Sequence, residues 1–190
     1  MEDEGNPTKA LVPVTSEPTV DKSTLWKLVS SGSLKGLSAE QKLDYTVGLC
    51  KSLGIDIASG PFQIIEFDGK ETLYATRACT EQLRSVHRIS LKVVSEGWED
   101  DGTGEGKQYR VRVEASMPGG RYDTACGVVS TKNKDGKVKG SVELANVPMK
   151  AETKAKRRAT LSICGLGFLD EAGHLGTWAH RFHKQNLVRS

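Results

Sequence analysis

Apolar positions recur along this chain with two different periods, and the places where the period changes mark its elements. Ser38, with Gln41 three residues on, has the form of a capping box, and Leu43, Val47, Cys50 and Leu53 then return at helical spacing until Gly54, which predicts a helix. Residues 61–67, the dipeptide Asp68-Gly69 and residues 71–75 predict a β-hairpin, because Asp-Gly supplies the positive φ that a tight hairpin turn needs. The helical period resumes over residues 76–86, with Ala75, Cys79, Leu83 and Val86 on the inner side and Arg77 at the start. Strands are expected at 88–96, 107–115 and 121–130. In the middle one Tyr109, Val111, Val113 and Ala115 alternate with Gln108, Arg110, Arg112 and Glu114, the pattern of an antiparallel sheet with one wet face. The joins are an acidic, glycine-rich loop at 98–106 and a tight turn at Pro118-Gly119-Gly120.

A basic loop, 132–140, leads into the stretch 146–167, which predicts a long helix opened by Pro148 and closed by Gly165 or Gly167. Ala151, Ala155, Ala159, Ser162 and Leu166 share one narrow side, with Ile163 at its margin, so this helix is able to lie close on a sheet. Lys150, Lys154, Arg157 and Arg158 share another arc of roughly 100°. Near the amino terminus, Ser23 is placed to cap a short helix carrying Leu25, Trp26, Leu28 and Val29. The expected architecture is α+β: an extra N-terminal helix, then a β-hairpin, a helix, a three-stranded antiparallel meander and a long final helix. Residues 1–22, with Pro7, Pro13 and Pro18, are expected to be a disordered acidic segment, 23–167 the core domain, and 168–190 a tail with a short amphipathic helix.

Charge sharpens the picture only a little. The formal net charge is +3, and residues 1–22 hold five acids against Lys9 and Lys22, a local −3, so the remainder carries +6 and favours an anionic partner. Cys50, Cys79, Cys126 and Cys164 are widely spaced with no C-x-x-C pair, and read as reduced thiols of a cytoplasmic-type protein. No run approaches the ~18 apolar residues of a membrane span, and the acidic start is unlike a secretory signal, so no membrane partner is expected.

Candidate chemistry is mostly excluded. In Gly102-Thr-Gly-Glu-Gly-Lys107 no glycine stands five residues before Gly106, and Gln108 replaces the Ser or Thr of a phosphate loop. His174, His180 and His183 match no zinc spacing. Neither a nucleophile elbow nor a zincin motif is present, so the chain is expected not to be an enzyme and to need no cofactor. What remains is a basic set that suits phosphate contacts: Arg77, Lys132, Lys134, Lys137 and Lys139 in the loop, and Lys150, Lys154, Arg157 and Arg158 on the final helix.

The segment Ala151-Glu-Thr-Lys-Ala-Lys-Arg-Arg-Ala-Thr-Leu-Ser162 resembles the final-helix pattern of the single-strand annealing superfamily, which includes the phage Redβ, RecT and Erf/Sak proteins and a eukaryotic Rad-type annealing protein. Tyr122-Asp-Thr-Ala-Cys-Gly-Val128 is similar to the strand before that helix, and the element order over residues 61–165 is the family's. The resemblance implies ATP-independent binding and annealing of single-stranded DNA in phage or prophage recombination. It also implies a homo-oligomeric ring or helical filament, with a phage exonuclease or a host single-strand-binding protein as further partners. By position, Arg157 and Arg158 fall on the paired basic residues that line the strand groove, and Arg77 near the arginine that shares it. Lys150 and Lys154 join them on the helical-face argument alone. Two alternatives stay open: a protein that binds single-stranded DNA or RNA without annealing, and a phage nuclease subunit.

Overall fold

The computed structural model describes residues 20–103, 106–133 and 135–167. The chain folds around a three-stranded antiparallel meander of β3 (Ser90–Asp100), β4 (Lys107–Ser116) and β5 (Tyr122–Ser130), in that order, crossed on one face by the long helix α5 (Val147–Ile163). Val111, Val113 and Ala115 of β4 are fully buried against Ala151, Ala155, Ala159 and Ile163, while Arg110 and Arg112 point to the open face, as the alternation in β4 predicts. The small alanine face matters at one point above all. A Cβ placed on Gly127 of β5 would stand 2.1 Å from the Ala151 carbonyl oxygen and 2.5 Å from the Ala155 nitrogen, so helix and strand touch backbone to backbone there.

α5 is covered on its other side too. A hairpin of β1 (Phe62–Phe67) and β2 (Lys70–Ala75) leads into α3 (Arg77–His87), and Leu161 of α5 packs with Ala75, Cys79 and Leu83 beneath Cys50 and Ile55. Asp68 and Gly69 both have positive φ, 51° and 71°, as the Asp-Gly hairpin turn requires. α2 (Ala39–Leu53) carries the expected reciprocal capping box at Ser38 and Gln41 and ends at Gly54 with φ 67°. Of the two glycines able to close α5 it is Gly165, with φ 71°. Leu166 N donates to Leu161 O and Gly165 N to Ser162 O, each at 2.9 Å, which is a Schellman closure with a Leu161–Leu166 apolar contact.

Several expectations are corrected. α1 (Lys22–Ser31) is capped by Asp21, whose carboxylate accepts from Ser23 N and Thr24 N, rather than by Ser23. Hydrogen bonds from Ser23 and Thr24 hold that carboxyl well below its usual range. The cap and Val20, which approaches Gly48 of α2, put residues 20–22 within the fold rather than in the acidic segment. Leu43 and Val86 are 58% and 48% exposed; the inner stripe of α2 is Tyr45, Leu49, Cys50 and Leu53 instead. Residues 98–100, read as loop, extend β3, with Trp98 edge-on to its cross-strand partner Tyr109 at 5.1 Å between ring centroids. Ser162 is exposed and Ile163 fully buried, so Ile163, expected at the margin, takes the place of Ser162 in the sheet-facing stripe. A further short helix, α4 (Ser141–Ala145), precedes α5. Residues 1–19 and the tail from 168 lie outside the described residues.

All four cysteines are free thiols, and Cys50, Cys79 and Cys164 meet in one apolar cluster. Burial, with smaller contributions from the Cys50 and Cys164 thiols, pushes Cys79 up to about 12, and burial also raises Cys50 and Cys164. A thiolate-selective reagent at neutral pH should therefore modify Cys126 first in the folded protein and reach Cys50 and Cys79 only on addition of denaturant. Equal rates at all four positions would contradict the buried cluster.

Candidate nucleic-acid interface

Capping and helical spacing together build one wall of a cleft. Thr76 caps α3, its side chain accepting from Cys79 N, and this starts the helix so that Arg77, Thr80, Glu81 and Arg84 rise along one face. Glu152, Thr153, Lys156 and Arg157 of α5 form the opposite wall, enclosing about 190 Å³. The lining holds four cations and two carboxylates, a balance of +2.

These charges hold one another in place. Arg77 Nε lies 2.6 Å from a Glu81 oxygen, Arg84 reaches the same oxygen at 3.9 Å, and Lys156 Nζ is 2.6 Å from Glu152. Burial lowers the pKa of Arg84; Glu81 opposes that shift and Arg77 adds to it. Arg157 lies deepest, at 5% exposure. Its guanidinium donates to the Tyr74 hydroxyl, and its central carbon sits 5.2 Å from the Tyr74 ring centroid, a cation–π contact.

The basic arc expected on α5 is thus split, and Arg157 alone of its four members faces this cleft. Lys154 and Arg158 lie on the opposite flank, along the free edge of β5. Thr131 N donates to Lys107 O, so the odd-numbered residues of β5 pair with β4 and the even-numbered ones turn their backbone outward. Arg158 donates to Cys126 O at 3.1 Å, Lys154 to Val128 O at 3.3 Å and Lys139 to Ser130 O at 2.5 Å. Three cations meet three successive outward carbonyls. This is a device that stops an edge strand from pairing with another chain.

Of the other expected positions, Lys150 is exposed one turn before Lys154, and Lys132 forms an isolated bridge with Val138, where its charge helps to lower Asp101 after the Thr103 hydrogen bonds. Lys134 lies outside the described residues, as do His174, His180 and His183. The cleft adds two cations that the sequence reading missed, Arg84 and Lys156. Arg84 stands seven residues after Arg77, two helical turns on, and that spacing was a signal available to find it.

No protein-family model matches this chain, and no curated protein matches it either. The likeness to the annealing superfamily therefore rests on the two motifs and the element order. Among the described residues no helix is long and apolar enough to cross a membrane.

Proposed function

We propose that this protein binds single-stranded DNA and anneals complementary strands without ATP, as an oligomer, in phage or prophage recombination in a host cytoplasm. The observation that carries the proposal is the α3–α5 cleft, whose two walls bring Arg77 and Arg157 together with Arg84 and Lys156. Phosphates suit such a site, because single-strand affinity comes largely from displaced counterions. Glu81 and Glu152 act as internal counterions that phosphate oxygens replace on binding. The Arg77–Glu81 pair is mostly exposed, so exchanging it for a phosphate costs little. Among the described residues no aromatic side chain lines the cleft walls, which favours bases left unstacked and able to pair. One cleft spans few nucleotides, and assembly joins many weak contacts into a lasting one.

A salt titration tests this directly. With an oligothymidylate followed by fluorescence anisotropy, Arg77→Ala and Lys156→Ala should each remove about 0.7 from the slope of log affinity against log salt, and Lys137→Ala in the exposed loop should leave the slope unchanged. The proposal fails if Lys137→Ala weakens binding and the two cleft variants do not.

Glu81 and Glu152 in one cleft also favour a second reading, a metal-dependent nuclease subunit. Both carboxylates are already engaged by cations, and among the described residues no three candidate ligands gather to hold a metal. Incubation of labelled single strands with magnesium or manganese separates the two readings: unshortened strands support annealing, and shortening that Glu81→Gln abolishes supports the nuclease.

A further inference from the structure

Beside the cleft, rather than in its walls, stands an aromatic pair. Between Val93 and Ser95 the register of β3 against β4 shifts by one residue, and this β-bulge changes which side chains face α5. Before it, Leu91 and Val93 stand opposite Ala115 and Val113; after it, Glu96 and Trp98 stand opposite Val111 and Tyr109. An unbroken strand would turn Trp98 to the open face of the sheet. The bulge brings it to the α5 side instead, where it meets Tyr109 edge-on at 5.1 Å and 74°.

That side of β3 lies on the cleft's flank of α5. β5 takes the other flank, where Arg158 and Lys154 reach its carbonyls, so in the order β3-β4-β5 it is β3 that lies toward α3. Val93 and Trp98 are 39% and 49% exposed, so α5 leaves this side of β3 uncovered. Tyr109 fixes the end of the cleft at which Trp98 stands. Burial raises the pKa of its hydroxyl, and Glu96 and Glu152 add to that shift; Glu152 is the first cleft residue along α5. Lys156 follows one helical turn, ~6 Å, further on.

We infer that Trp98, braced by Tyr109, is a stacking platform for one nucleobase of the strand held in the α3–α5 cleft, an inference that rests on the strand-binding reading of that cleft. Charge sorts the strand. Glu96 and Glu152 repel a phosphate beside the aromatic pair, while Lys156 and Arg157 attract one about a turn away, so the backbone lies in the cleft and a base reaches Trp98. Every base has a π-face, so the platform is indifferent to sequence. Stacking occupies that face and leaves the pairing edge open. The platform therefore fixes where the strand lies without hindering annealing.

An oligothymidylate and an oligomer of equal length whose sugars carry no bases present the same phosphates, so comparing them isolates the platform. In fluorescence anisotropy the native protein should bind the oligothymidylate about 5- to 100-fold more tightly, with the same salt slope for both. Trp98→Leu should lose that preference and bind the abasic oligomer as the native protein does. Trp98→Phe keeps a π-face and should keep most of the preference, whereas Arg77→Ala should weaken both oligomers alike. In the variant Trp26→Phe/Trp178→Phe, Trp98 is the one tryptophan left of three, and its emission should be quenched by the oligothymidylate and not by the abasic oligomer. That measurement leaves Trp98 unaltered and holds if Trp98→Leu does not fold. A native protein that binds neither oligomer overturns the cleft reading and this inference with it. Equal affinity for the two, a preference that survives in Trp98→Leu, or equal quenching overturns the platform alone.

Discussion

Replacing Gly127 with alanine should strip this protein of much of its stability. The new methyl carbon would meet the Ala151 carbonyl oxygen at 2.1 Å and the Ala155 nitrogen at 2.5 Å, and both are backbone atoms that no rotamer change can move aside. α5 would have to lift from β5, loosening the contacts of Ala151, Ala155 and Ala159 with Val111 and Val113 together. Overpacking of this kind costs about 3 kcal/mol, a large share of the 5–15 kcal/mol that holds a domain folded. For a chain of this size the loss corresponds to a Tm lower by roughly 6–12 °C, which a thermal melt followed by circular dichroism measures. An unchanged Tm would mean that helix and strand do not approach as closely as described.

The second large effect is expected at Arg157, where the proposed strand binding would be coupled to stability. Arg157→Ala removes a buried guanidinium from the Tyr74 ring and hydroxyl, leaves a void behind the cleft and should cost about 2–4 kcal/mol. Lysine should not rescue it, because an ammonium reproduces neither the planar stacking nor the forked donors. Arg77→Ala is the counterpart on the other wall. Its side chain is 79% exposed, so stability should stay within about 0.5 kcal/mol while strand binding weakens. Melting and anisotropy on the same preparations check both. Equal destabilisation by the two variants would contradict the burial that distinguishes them.

How far the sequence alone reached follows from how local each determinant is. The capping box at Ser38, the Asp68-Gly69 turn and the alternation in β4 are contained within a few residues, and all three stand in the structure as read. The misplaced positions depend on partners distant in sequence. Residues 98–100 read as an acidic loop because their composition suits one, but Trp98 packs on Tyr109, while Glu99 forms an ion pair with Arg110 at 2.6 Å, and these cross-strand contacts extend β3. The cleft shows the same limit. A helical projection places Arg157 beside Lys150, Lys154 and Arg158, but it cannot show that α3 closes over one side of α5 while β5 offers its carbonyls on the other. Lys156 was missed because it joins the cleft only when α3 meets α5, whereas Arg84 lay within reach of the helical spacing from Arg77.

The most direct test of the central claim is the rate at which complementary, fluorophore-labelled oligonucleotides pair, measured with no nucleoside triphosphate present. The native protein is expected to accelerate pairing well above the spontaneous rate, and the double variant Arg77→Ala/Lys156→Ala should lose most of that acceleration while keeping its native circular dichroism and Tm. No acceleration by the native protein, or full acceleration by the double variant, would contradict annealing through the α3–α5 cleft.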